Sequence, residues 1–214
     1  MKFEVSKKTM LIIIGLLTLL VLIGGSLFAY NQYQIKVEND KKIAQEKQKK
    51  ADEKKEAEIN KQKEKEFKVK LFELSLNGMG VSTQAETIGD SYSSIWSDAI
   101  FEDEGASVGG KKYTDFNEAI SAQKAIYEEN GDISSLDADL SSLTETFDSL
   151  KANLTPANET LFQEAEEYYD KLINYVSIAK NPSGSYQTYS EKYGESKSEY
   201  ITVMSTFSDS TMSD

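Results

Sequence analysis

The rhythm of apolar and polar positions changes twice along the chain, and each change marks a boundary. From Met10 to Tyr30 no residue is charged and only Thr18 and Ser26 are clearly polar, a run of 21 residues. As a helix this run reaches about 31 Å, the thickness of a bilayer's hydrocarbon core. It predicts a transmembrane anchor. A removable leader has a shorter apolar region, roughly 7–15 residues, and small side chains at its cleavage site. The best candidate here, Leu27-Phe28-Ala29, puts a bulky Leu at one of those positions. The uncleaved anchor is therefore the reading adopted, with a removed leader as its alternative.

From Lys36 to Lys70 nearly every residue is Lys, Glu, Gln, Asp or Ala, without Gly or Pro, a composition dominated by helix formers. Glu38 and Lys42, Glu46 and Lys50, Glu64 and Lys68, and Glu66 and Lys70 fall at the i, i+4 spacing that supports an isolated helix. The larger apolar residues, Ile35, Ile43, Ile59 and Phe67, are separated by multiples of eight. Each step of eight drifts about 80° around a helix, so they wind instead of forming a dimer seam. A monomeric helical stalk of roughly 50 Å is favoured over a coiled-coil homodimer.

Beyond Phe67 the pattern becomes that of amphipathic helices. Leu71, Leu74, Gly78, Val81, Ala85, Ile88, Tyr92, Ile95 and Ala99 keep spacings of three and four, which places them on one face. Gly78, Gly80 and Gly89 are poor helix formers, and they predict a kink or break near Asn77-Gly78-Met79-Gly80. A second helix should start near Asp115, with Glu118 completing a capping box, and stop at Gly131. Ile133, Leu136, Leu140, Leu143, Phe147 and Leu150 mark a third. A fourth carries Leu161, Ala165, Tyr168, Leu172, Val176 and Ala179, with Thr155 as N-cap and Pro156 in its first turn. After Asn181-Pro182-Ser183-Gly184 the last aligns Tyr186, Tyr189, Tyr193, Tyr200, Val203 and Phe207. No run alternates convincingly enough to predict a strand. The expected fold is all-α: a tail at 1–9, a transmembrane helix at 10–30, a charged helical stalk at 31–66, and at 67–214 an acidic antiparallel bundle of four or five helices.

Charge sharpens this division. Residues 1–72 hold 16 Lys against 10 acidic residues, whereas residues 73–214 hold 8 Lys against 26. So acidic a head repels phosphate backbones, and nucleic acid is excluded as a partner. The lysine-rich part adjoins the expected membrane, where anionic lipid or wall polymer could attract it, although a merely solvated helix face is the favoured reading. Orientation draws conflicting signals. Lys7 and Lys8 abut the span and argue for a cytoplasmic N-terminus, while Lys36, Lys41, Lys42, Lys47, Lys49 and Lys50 argue the reverse. The adjoining pair is weighted more heavily, which places the head outside the cell.

Two stretches carry a resemblance, YSSIWSDAI at Tyr92–Ile100 and NPSGSYQTYSEKY at Asn181–Tyr193. Together they resemble a group of small, uncharacterised, membrane-anchored or lipoprotein-like helical proteins of Gram-positive bacteria, some of them prophage-borne. The resemblance implies a place in the cell envelope and a connection with phage, and it brings no catalytic residue.

The chain has no Cys and no His, which removes disulfides, thiol chemistry, the familiar catalytic triads and most zinc sites. Ser121-Ala122-Gln123-Lys124 lies within an ordinary amphipathic helix, and Gly105–Gly110 lacks the ending of a phosphate-binding loop. Glu102, Asp103 and Glu104, like Asp132, Asp137 and Asp139, lack calcium-loop spacing. Solvated loops and helix N-terminal acids account for both groups. No catalytic, cofactor-binding or metal-binding residue is assigned. The candidate interaction surface is Tyr186, Tyr189, Tyr193 and Tyr200, although a place in the bundle core is the favoured reading of their spacing; Trp96 is expected in the core. The expected function is a non-catalytic, single-pass interaction protein outside the cell membrane, binding an envelope or phage protein or a wall polymer. Exclusion of a superinfecting phage at the membrane and hydrolysis of wall polymer by paired carboxylates are the alternatives.

Overall fold

The computed structural model describes residues 7–212, leaving aside the side chains of residues 9, 11, 13, 14, 17, 19–29 and 212. The chain forms two compact units, Met1–Ile59 and Asn60–Asp214. Helix α1 spans Lys7–Phe101 and supplies residues to both. Among the described residues no helix is long and apolar enough to cross a membrane. The expected anchor at 10–30 falls largely on side chains outside the described residues, and most of the tail at 1–9 lies outside them too.

In the first unit Ile35, Ile43 and Ile59 are exposed, as their winding spacing requires. Glu38 pairs with Lys42 at 3.2 Å and Lys49 with Glu53 at 3.8 Å. Such solvated pairs contribute a few tenths of a kcal/mol each.

The second unit is all-helical apart from one hairpin. It comprises the remainder of α1, strands β1 (Ala106–Val108) and β2 (Lys111–Tyr113), and helices α2 (Phe116–Asn130), α3 (Asp132–Ala152), α4 (Glu159–Lys180) and α5 (Tyr186–Met212). α1, α3, α4 and α5 contribute to one continuous core that includes Leu74, Leu143, Leu172 and Phe207. A second, smaller core gathers Ile95, Ala99, Ala106, Val108 and Ala119 beneath the hairpin and α2.

Local signals position these elements. Asp115 caps α2, its carboxylate accepting from the backbone N–H groups of Asn117 and Glu118 at 2.8 and 3.0 Å. Gly131 ends that helix with φ 81°, a left-handed conformation that glycine adopts without steric cost. Ser185 accepts from the Thr188 N–H at the start of α5.

Four expectations are corrected. Ala106–Val108 and Lys111–Tyr113 pair antiparallel about Gly109-Gly110, so a short hairpin stands where no strand was predicted. Three-residue strands are too short for alternation to register, yet the Gly-Gly step, with φ 57° and 78°, supplies the two positive φ angles that a two-residue hairpin turn requires. α1 runs unbroken through Asn77–Gly80. α4 starts at Glu159 and not at Thr155, because the Asn158 side chain accepts from the Thr155 N–H at 2.8 Å and donates to the Asn153 carbonyl, holding these residues in a turn. Lastly, Leu140 is only half-buried, whereas Leu136, Leu143 and Leu150 are fully enclosed.

The cavity cost of truncating α3 therefore attaches to Leu143. Leu143→Ala should lower stability by about 2–5 kcal/mol, read as a fall in the urea midpoint of the purified chain. Ser141→Ala, at an exposed position of the same helix, should leave the midpoint unchanged.

Candidate functional site

Of the four tyrosines weighed between bundle core and contact surface, Tyr189, Tyr193 and Tyr200 are only 2–5% exposed and Tyr186 is half-buried. The row faces the bundle interior, where each ring removes a large area from water, and it is core instead of contact surface. A chain of rings runs through the unit. Phe116 meets Trp96 at 6.2 Å, Trp96 meets Tyr189 at 5.6 Å, and Tyr189 meets Tyr193 at 5.8 Å between centroids. Tyr193 then meets Tyr175 at 5.7 Å, Tyr175 meets Tyr200 at 5.5 Å, Tyr200 meets Tyr168 at 5.8 Å, and Tyr168 stacks on Phe207 at 4.5 Å.

Two glycines of α1 make room for this chain. A Cβ on Gly78 would stand 2.1 Å from Tyr168 Oη, and one on Gly89 would stand 2.3 Å from Tyr193 Cε2. Both distances are too short for any side chain. These glycines, expected to weaken the helix, are where α1 admits the rings of α4 and α5.

Around the Tyr193 hydroxyl lies the unit's most connected polar cluster. It donates to Asp90 Oδ1 at 2.7 Å and approaches the Glu86 carbonyl at 3.3 Å and the Tyr175 hydroxyl at 3.4 Å. One turn on, the Lys197 ammonium bridges Glu86 at 2.8 Å and Asp90 at 3.3 Å and lies 5.6 Å from the centre of the Tyr193 ring. Sequence reading missed this group. Its signal was two i, i+4 pairs, Glu86 with Asp90 and Tyr193 with Lys197, on helices whose faces meet.

A cleft of about 310 Å³ adjoins the cluster, lined by Met79, Glu86, Tyr175, Lys197, Ile201 and others. Its groups are poorly poised for proton transfer. Burial pushes the Tyr193 phenol far up, and its bonds to Tyr175 and Asp90 add to the rise. Burial acts downward on the Lys197 amine, but the hydrogen bonds and charges of Glu86 and Asp90 outweigh it and raise the net value. At neutral pH the first is a neutral phenol and the second an ammonium.

Three of the six acidic residues weighed as cation ligands are engaged by protein partners. Glu104 pairs with Lys112 at 3.4 Å, Asp139 accepts from Gln84 at 2.7 Å, and Asp137 is bonded to Lys180. Among the described residues no group of three or more such side chains is placed to hold a metal ion. No protein-family model, curated protein or solved structure matches the chain. Tyr92, Ile95, Trp96 and Ala99 in the first resemblance stretch, and Tyr189 and Tyr193 in the second, are interior residues.

Burial also pushes the Tyr92 phenol up to about 12, and raises Tyr168, Tyr175, Tyr189 and Tyr200. A phenol with a higher pKa folded than unfolded contributes stability that is complete below about pH 10 and is lost as pH rises toward the folded value. The urea midpoint should hold from neutral pH to about pH 10 and then fall steeply. Tyrosinate absorbance from the buried rings should appear together with loss of helical signal, not before it.

Proposed function

We propose that this chain is a non-catalytic, single-pass membrane protein of the cell envelope whose acidic helical head serves as an interaction module outside the cell. The observation that carries the non-catalytic part is the Glu86, Asp90, Tyr193 and Lys197 cluster, in which each group is occupied by another. Such mutual pairing holds helices together and, within this cluster, leaves no nucleophile beside a free base. The anchoring part is supported by the uncharged run from Met10 to Tyr30 and by Lys7 and Lys8 beside it.

An acidic head suits a partner of complementary charge, and its many carboxylates keep separate heads soluble. Glu86 and Asp90 sit one turn apart on α1, both held by Lys197. That restraint disqualifies this pair for the hydrolysis of wall polymer, which needs one carboxyl group free to donate a proton.

Protease added to intact, wall-stripped cells should digest the head while a cytoplasmic marker survives. A head protected in intact cells but cut in lysed ones would reverse the orientation, and a chain released from membranes by carbonate would remove the anchor.

A further inference from the structure

The outward face of α1 in the second unit is apolar where a solvated helix would be charged. Val69, Phe72, Leu76 and Met79 are 56, 66, 58 and 50% exposed. At 100° per residue they point roughly opposite to the core residues Phe67, Leu71, Leu74, Gly78 and Val81 of the same turns. Their spacing of three, four and three is that of a coiled-coil seam. We propose that this stripe is the docking face for a second copy of the chain, the two α1 helices lying parallel.

The flanking charges select both the partner and its direction. With Val69 and Leu76 at a, and Phe72 and Met79 at d, the g positions are Lys61 and Lys68 and the e positions are Glu66 and Glu73. In a parallel pair each g residue faces the e residue five positions later on its partner. Lys61 then meets Glu66 and Lys68 meets Glu73, twice each across the two-fold axis. An antiparallel pair would instead set lysine against lysine and glutamate against glutamate. Glu73, already bonded to Lys70 at 2.6 Å, would be shared between two cations.

Magnitude decides how strong this association is. The stripe offers on the order of 400 Å² of apolar surface per copy, about half of the ~800 Å² per partner in a stable interface. Gln62 and Lys65 occupy the preceding a and d positions and Thr83 the following a, so the seam ends after about three turns. Repulsion between two acidic heads opposes it further. The contact is weak in free solution, and confinement of two chains to one bilayer raises their effective concentration without adding a contact. In this respect the dimer rests on the anchored reading above.

Because the chain has no cysteine, single cysteines report the contact directly. Val69→Cys, Met79→Cys and, on α3, Ser141→Cys are placed separately in the full-length chain, and membranes are treated with copper phenanthroline. Val69→Cys and Met79→Cys should each form a disulfide-linked dimer alone, Ser141→Cys should not, and adding Phe72→Glu should abolish the dimer without shifting the urea midpoint. Absence of the cross-link, its appearance only when Val69→Cys and Met79→Cys chains are mixed, or equal cross-linking of Ser141→Cys would each overturn the parallel seam. So would protection of Phe72→Cys from a water-soluble maleimide without dimer formation, which would mean that lipid or another protein covers the stripe. Membrane pelleting of the same samples separates the two claims. A pelleted chain that fails to cross-link defeats the seam and leaves the anchor standing, whereas a soluble chain that still cross-links defeats the anchor and leaves the seam.

Discussion

Rings of α4 and α5 reach the backbone of α1 at Gly78 and Gly89, where a side chain would occupy the space that each ring or hydroxyl fills. The Tyr168 hydroxyl fills the space at Gly78 and the Tyr193 ring fills it at Gly89, where a Cβ would lie 2.1 and 2.3 Å from ring or hydroxyl atoms. Once Tyr193 is seated there, its hydroxyl reaches Asp90 and its ring lies beside Lys197, which in turn reaches Glu86 and Asp90. Close approach, ring stacking and ion pairing thus depend on one local absence of side chain. Intrinsic helix propensity, by which each glycine costs about 1 kcal/mol relative to alanine, is outweighed by the packing that the gap permits.

The same constraint sorts the unit's polar and apolar groups. Tyrosine places a broad ring in the interior and directs its polar end to a few partners: Tyr193 to Asp90, and Tyr189 to the Ala179 carbonyl at 3.2 Å. Glu86, Asp90 and Lys197 beside Tyr193 fix α1 to α5, which is what supports the binding role proposed above. What remains for recognition is its outside: the acidic surface and the exposed stripe from Val69 to Met79. Both readings attribute function to surfaces that the interior has no need of.

Much of this was legible in the sequence because periodicity reports burial. Leu136, Leu143 and Leu150 of the third helix, the Asp115 cap, the Gly131 stop and the interior place of Trp96 follow from local chemistry that tertiary contacts did not override. The glycines were misread because propensity treats a residue as if it faced solvent, and the partner rings of Gly78 and Gly89 lie about 90 and 104 residues along the chain. The tyrosines of α5 had the spacing of either a core or a contact face, and only the opposing helix decides between them. Likewise the stripe at Val69–Met79 continues the apolar rhythm of α1 on its second face, so its exposure becomes visible only once the core side is known.

A double-mutant cycle between Gly89 and Tyr193 tests the interlock most directly. Leucine at 193 lacks the three ring and hydroxyl atoms that crowd a Cβ at position 89, so Gly89→Ala should destabilise the native chain by about 1–3 kcal/mol yet be neutral or stabilising in the Tyr193→Leu background. Gly80→Ala, with nothing within 4 Å of its Cβ, should raise the urea midpoint in both backgrounds by its helix propensity alone. If Gly89→Ala costs the same with and without the tyrosine, the two residues are not coupled and the close approach of α1 is not what holds the bundle together.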